Sequence, residues 1–280
     1  NYTYILALSR LALVQINSLG HTNTSGINTI DYFITSDVEP RTSEENYTED
    51  LIRFSRLPFN YSKPIINESK IDNNIIMNSE DFFNIGLTQT LFKLHPDYDK
   101  ILEEILNEIP KARLILIKDK HNSVTESLKY RWKKKNILLL ERSIFLERMS
   151  HNDFINIIRN CDIMLDPLYY GSGNTFYESM AFGIPFITHI NQKSKIPIAG
   201  YKQMKIRNPP IASSEADYIN LCKMFSNDRN LLNKTSKNLI ENSNQYLFHD
   251  NDIYKQYYKF FNEAVKIAKE GKSLGSDWSP

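Results

Sequence analysis

Residues 162–190, DIMLDPLYYGSGNTFYESMAFGIPFITHI, constrain the fold more than any other stretch of the chain. Ile163–Leu168 is a short apolar run of the length expected of a buried strand. Gly171-Ser172-Gly173-Asn174 is a small-residue turn, and a helical pattern runs from Thr175 to a stop at Gly183. After Pro185, Phe186-Ile187-Thr188 reads as the next strand. Strand, glycine turn, helix and strand make half of a doubly wound α/β domain.

That turn has a chemical use. Amides at a helix start lack intrahelical partners and sit at the positive end of the helix dipole, so they bind phosphate readily. Gly171 and Gly173 lack Cβ, which lets the backbone approach an anion closely and take positive φ. Glu178 falls one turn inside the helix, placed to accept hydrogen bonds from ribose hydroxyls. A second reading stays open at this point. Thr175 and Glu178 also fit a capping box, in which the glutamate only ties back its own helix start.

The rest of the chain extends the alternation. Val14–Leu19, Tyr32–Thr35 and Leu51–Phe54 are strand-like, and Tyr4–Leu13 is apolar without a decisive period. From Pro58 to Glu80 the chain is polar and Asn-rich, which marks a linker. Phe82–Leu87 and Arg113–Lys118 read as strands around a helix opened by His95-Pro96 and closed by Pro110. Ser123–Lys135 is helical, and Ile137–Leu140 reads as a strand, followed by the apolar Ile144-Phe145-Leu146. Ser150 and Asp153 form a capping-box start for a helix carrying Phe154, Ile157, Ile158 and Cys161. Ser214–Phe225, Asn230–Ser243 and Asp252–Lys269 complete the helices.

Charge narrows the partners. The 280 residues carry 34 basic and 33 acidic side chains, which argues against a nucleic-acid surface. No apolar run approaches the ~18 residues of a membrane span, and no signal peptide is visible. Two cysteines, Cys161 and Cys222, are too few for a disulfide framework and lack metal-ligand spacing. A soluble, cytoplasmic protein of a reducing compartment is expected. His95, His121, His151, His189 and His249 are scattered and suggest no metal site. The chain enters an apolar segment directly from Asn1, so it is expected to begin partway through a larger fold.

Four pieces of the sequence resemble glycosyltransferase family 41, the O-linked N-acetylglucosamine transferases and their bacterial relatives. QINSLGHTNTSGINTIDYFITSD (15–37), with YTEDLIRF (47–54), resembles the end of that family's first catalytic domain. LFKLHPDYDKILEEILNEIPKARLILI (91–117) resembles the start of its second. FLERMSHNDFINIIRNCDIMLDPLYYGSGNTFYESMAFGIPFIT (145–188) resembles the donor-binding core. The aromatic-rich final helix matches in position.

The resemblance implies a GT-B α/β fold with a complete Rossmann-like C-terminal domain and a partial N-terminal one. Residues 1–62 would close the first domain, 63–80 would be a linker, 81–245 would bind the nucleotide-sugar, and 246–280 would return to the first domain. It implies an inverting, metal-independent hexosyltransferase that moves GlcNAc or glucose from a UDP-sugar co-substrate to a protein Ser/Thr, with no other cofactor. An asparagine or glycan acceptor, a nucleotide-sugar-binding module without turnover, and a structural subunit are the alternatives.

Lys93 matches the family lysine on the donor diphosphate, where a fixed cation stabilises the leaving group. Gln89 ends the preceding strand. Gly173, Asn174 and Thr175 match the phosphate donors, and Glu178 matches the ribose-binding acid. Met149 matches a position where the backbone reads the base. Leu19, Gly20 and His21 match the loop that reaches the sugar, and His21 is the candidate proton carrier. Two departures stand out. Animal members carry His-Thr-Thr followed by Asp where this chain has Gly173-Asn174-Thr175 and Glu178, and their donor-contacting histidine aligns with Phe154.

Overall fold

A computed structural model of the chain describes residues 2–65, 81–248 and 250–280. His249 and most of the expected linker over 63–80 therefore lie outside the described residues. The elements are α1 (Tyr2–Ala7), β1 (Ile16–Ser18), β2 (Tyr32–Ser36), β3 (Asp50–Phe54), β4 (Phe83–Gly86), α2 (Pro96–Glu108), β5 (Ala112–Ile117) and α3 (Ser123–Lys135). They continue as α4 (Ile137–Glu141), β6 (Ser143–Leu146), α5 (His151–Arg159), β7 (Ile163–Leu165), α6 (Asn174–Ala181), β8 (Phe186–His189) and α7 (Ile196–Gln203). The last are β9 (Ile211–Ala212), α8 (Glu215–Asn227), α9 (Arg229–Asn242) and α10 (Asp252–Ala268). They form two compact units, one of residues 1–62, 193–203 and 246–280 and the other of 63–192 and 204–245.

The larger unit holds a parallel sheet in the order β6-β5-β4-β7-β8-β9. Renumbered within the unit, this is the Rossmann order, which reverses between β4 and β7. Alternate strand residues divide the core between the two faces. Ile85, Leu87, Leu114, Leu116, Ile163 and Leu165 join one buried cluster with Ile101, Leu102, Ile105 and Leu106 of α2 and Trp132 of α3. On the opposite face Phe176 of α6 meets Phe186 of β8 edge-on, with ring centres 5.8 Å apart.

The smaller unit has the parallel order β1-β2-β3. Tyr32, Ile34, Ile52 and Phe54 from its strands pack with Ile253, Phe260 and Ala264 of α10. The Tyr32 and Phe260 rings stand 5.3 Å apart at 89°, and Phe54 meets Tyr257 at 5.0 Å. Such edge-to-face pairs add about 0.5–1.5 kcal/mol each beyond burial of their area.

Two local expectations need correction, and one open segment is settled. Ile137–Leu140 is the helix α4, not a strand. An apolar run this short carries no decisive period, and the place beside β5 is taken by β6, which pairs Leu114 to Ser143 through Ile117 to Leu146. The strand expected over Ile163–Leu168 stops at Leu165, because Asp166 turns inward and Pro167 has no N–H for the ladder. The apolar segment at Tyr4–Leu13 forms only the short α1, with Ile5, Leu6, Leu11 and Leu13 exposed.

Candidate functional site

Ligands of open α/β sheets bind outside the carboxyl ends of the strands where the order reverses. Here those ends are Leu87–Gln89 after β4 and Asp166 after β7. Leu91–Lys93 forms a single tight turn beyond β4, and Lys93 stands at its end. The turn is held from behind. Asp99, in the first turns of α2, accepts Arg131 Nε at 2.7 Å, Arg131 Nη2 at 2.8 Å and Trp132 Nε1 at 2.9 Å, and Arg131 Nη2 also donates to Leu94 O at 2.9 Å. Bidentate pairing of this kind fixes geometry as well as adding energy.

The Lys93 ammonium crosses the crevice. It donates to Gly171 O at 3.0 Å and to Gln89 Oε1 at 3.3 Å, and it lies 4.7 Å from the centre of the Tyr170 ring. Burial lowers Lys93 below the ordinary lysine range, and the charge of Asp166 opposes that shift. The structure thus brings Lys93 and the glycine turn together, as expected.

The turn is braced by a residue that the sequence reading did not single out. Asp166 is fully buried; its Oδ1 accepts the Ser172 N–H at 2.7 Å and its Oδ2 accepts Thr188 Oγ1 at 2.7 Å. Burial pushes its carboxyl up to about 7, against the pull of Thr188, the Ser172 amide and Lys93. Its signal in the sequence is an acidic residue closing an apolar strand, since a buried carboxylate is costly unless it is bonded.

Helix α6 starts with Gly173 as its N-cap, and no side chain caps it. Neither Gly171 nor Gly173 uses the positive φ open to it; the left-handed residue of the loop is Tyr169, at φ 70. A Cβ built on Gly173 would meet nothing within 4 Å, so its backbone faces open space. Asn174 is exposed and Thr175 half-buried at this open end. The capping-box alternative fails, since the helix begins before Thr175. Glu178 is 4% exposed and its Oε1 lies 2.8 Å from His151 Nε2.

In the sequence His151 is one of several scattered histidines. Its signal was its place directly after the N-cap Ser150, whose Oγ accepts the Asp153 N–H at 3.2 Å. It lines a cavity of about 310 Å³ with Thr88, Gln89, Asp119, Met149 and Phe154. Two buried polar atoms on that wall, Thr88 Oγ1 and Gln89 Nε2, have no hydrogen-bond partner among the described residues. Gln89 and His151 each join this cavity to the turn, through Lys93 and Glu178. Polar groups of this kind fit a ligand that supplies the missing partners.

Leu19, Gly20 and His21 belong to the smaller unit, beyond the end of β1. Leu19 is buried and Gly20 and His21 are exposed. His21 lines a cavity of about 480 Å³ with Asn17, Asn23 and Ser25.

No protein-family model matches the chain. It is 25% identical over 183 residues to a UDP-glucose:protein N-beta-glucosyltransferase of Actinobacillus pleuropneumoniae, a match covering 65% of this chain and 29% of that protein. It is 26% identical over 194 residues to a probable UDP-N-acetylglucosamine–peptide N-acetylglucosaminyltransferase SPINDLY of Solanum lycopersicum, covering 64% and 19%. Among solved structures it is similar to an O-GlcNAc transferase of Thermobaculum terrenum, with a TM-score of 0.78, 22% identity, and coverage of 92% of this chain and 49% of that one. A sucrose-phosphate synthase of Thermosynechococcus elongatus shares the fold at a TM-score of 0.60 and 13% identity, over 84% and 58%. The chain therefore spans less than a third of these curated relatives and about half of the first structure. The chain is thus similar in sequence to protein glycosyltransferases named for UDP-glucose or UDP-N-acetylglucosamine, and in fold to an O-GlcNAc transferase, in keeping with its resemblance to glycosyltransferase family 41.

Proposed function

We propose that the larger unit binds the nucleoside diphosphate of a UDP-sugar, and that the protein transfers a hexose, GlcNAc or glucose, from that donor to a protein hydroxyl. One observation carries the reading: the Lys93 ammonium stands 3.0 Å from Gly171 O, beside an uncapped helix start. A cation and a set of helix amides converging at a sheet switch point suit a diphosphate.

In this reading the acceptor oxygen attacks the anomeric carbon from the face opposite UDP. The glycosidic C–O bond breaks, its electron pair passes to the β-phosphate, and configuration inverts. Lys93 and the amides at Asn174 and Thr175 oppose the charge that builds on the leaving group, which is where preorganised dipoles lower a barrier. Gln89 and the backbone at Met149 hold the base side, and Glu178 accepts the ribose hydroxyls. His21, with Leu19 and Gly20 on the sugar-side loop, is the proposed proton carrier. UDP-sugar is the co-substrate, and the mechanism calls on no metal.

A second reading takes an asparagine amide as acceptor, and the name of the Actinobacillus relatives favours it. Radiolabelled UDP-glucose and UDP-GlcNAc offered with Ser/Thr-only and Asn-only peptides test both. Label on the hydroxyl peptide supports the first reading, and label on the amide peptide alone supports the second. With UDP bound and no label in either, the non-catalytic binding module stands instead.

A further inference from the structure

A second cavity opens on the other side of the β7 loop. It measures about 220 Å³ and is lined by Ile101, Leu168, Tyr169, His189, Asn191, Gln192, Glu215 and Tyr218. It shares no lining residue with the cavity at Gln89 and His151. Where Tyr170 lies under the Lys93 ammonium, Tyr169 turns to α2: its Oη donates to Asp97 Oδ2 at 2.6 Å and its ring meets His95 edge-on at 5.1 Å. The left-handed backbone at Tyr169 separates the two neighbouring rings in this way.

Gln192 is the informative group. It is 2% exposed, and its Nε2 donates to Pro167 O, which fixes which end of the amide is oxygen. Its Oε1 is buried without a hydrogen-bond partner among the described residues. A buried carbonyl oxygen left unpaired costs stability, so a ligand that donates to it gains by doing so. Glu215 adds a second acceptor at the same cavity. His189 adds a donor: its Nδ1 accepts the Asn191 N–H at 3.1 Å, so the neutral ring carries its proton on Nε2. Two acceptors and one donor around an aromatic wall suit hydroxyl groups, which donate and accept. An ammonium ligand would leave the imidazole N–H unmatched. The volume falls below the roughly 300 Å³ where pockets for drug-sized ligands begin, so it suits one sugar ring.

We propose that this cavity is a saccharide site separate from the nucleotide site, with Gln192 Oε1 and Glu215 accepting ring hydroxyls and Tyr169 forming its aromatic wall. Saturation-transfer NMR with D-glucose, GlcNAc and cellobiose, in the presence of saturating UDP, tests it. Saturable binding is expected for at least one of these sugars. It should weaken about threefold to tenfold in Gln192→Leu and in the surface variant Glu215→Ala, and persist in Lys93→Met. Preference for cellobiose assigns the end of a glycan, and preference for a monosaccharide assigns a free sugar. The proposal is overturned by no saturable binding, by binding unchanged in Glu215→Ala, or by binding that disappears with Lys93. Omitting the sugar leaves a UDP titration, which reports on the nucleotide site separately.

Discussion

Asp166 accepts the backbone N–H of Ser172 at 2.7 Å, so the carboxylate at the end of one strand sets the path of the glycine turn that Lys93 faces. Asn at this position keeps an acceptor for the Ser172 amide and offers an N–H to Thr188. Ala keeps neither. Asp166→Ala is therefore expected to destabilise the protein by about 1–3 kcal/mol, the cost of an unsatisfied buried partner, while Asp166→Asn unfolds close to the wild type near neutral pH. Urea denaturation of both variants measures this. Equal stability of the alanine variant and wild type would remove Asp166 from the turn.

The same residue sets a pH dependence. Its folded value of about 7 lies above the ordinary aspartate value, so between these two values the folded protein holds a proton that the unfolded chain has released. Stability from this group is complete below the unfolded value and is lost as pH rises towards about 7. Melting temperatures followed from acid to neutral pH should fall more in wild type than in Asp166→Asn. Parallel curves would contradict the assignment.

Gly183 closes α6 with φ 69, and a Cβ there would meet Ser236 O at 2.4 Å. Both the left-handed backbone and the close carbonyl oppose a side chain, so Gly183→Ala should cost roughly 1–3 kcal/mol or more. Thermal melting shows it directly, and an unchanged melting temperature would mean that the close packing of α6 on α9 is wrong.

Glu178 as a ribose acceptor makes a prediction about ligands rather than stability. Wild type should bind UDP about tenfold more tightly than 2′,3′-dideoxyuridine diphosphate, as expected for hydrogen bonds to a charged acceptor. In Glu178→Ala the two affinities should converge. If the wild type does not distinguish the two nucleotides, Glu178 does not serve the ribose.

Much of this architecture was legible because its signals are local. Ile85, Leu114 and Ile163 sit in apolar runs that became adjacent strands, and Ser150 and His95-Pro96 announced their helices through capping chemistry. The 171–175 turn was legible from its own small residues before a helix pattern, whereas Lys93 was singled out only through the family resemblance. The misses depend on distant partners. Asp166 acts through Thr188 and the Ser172 amide, and His151 through Glu178 twenty-seven residues away. Helix α7 was not foreseen, since Pro197 and Gly200 inside Ile196–Gln203 are poor helix formers and burial overrides them. The two-residue β9 is too short to show a period.

Calorimetric titration of UDP into wild type and Lys93→Met is the most direct measurement of the central claim, that this lysine and the helix start at Gly173 hold a diphosphate. Wild type should bind, and the variant should bind roughly ten- to hundredfold more weakly, the loss expected when a charged hydrogen bond is removed. Equal affinity in the two proteins, or no UDP binding by folded wild type, would contradict it.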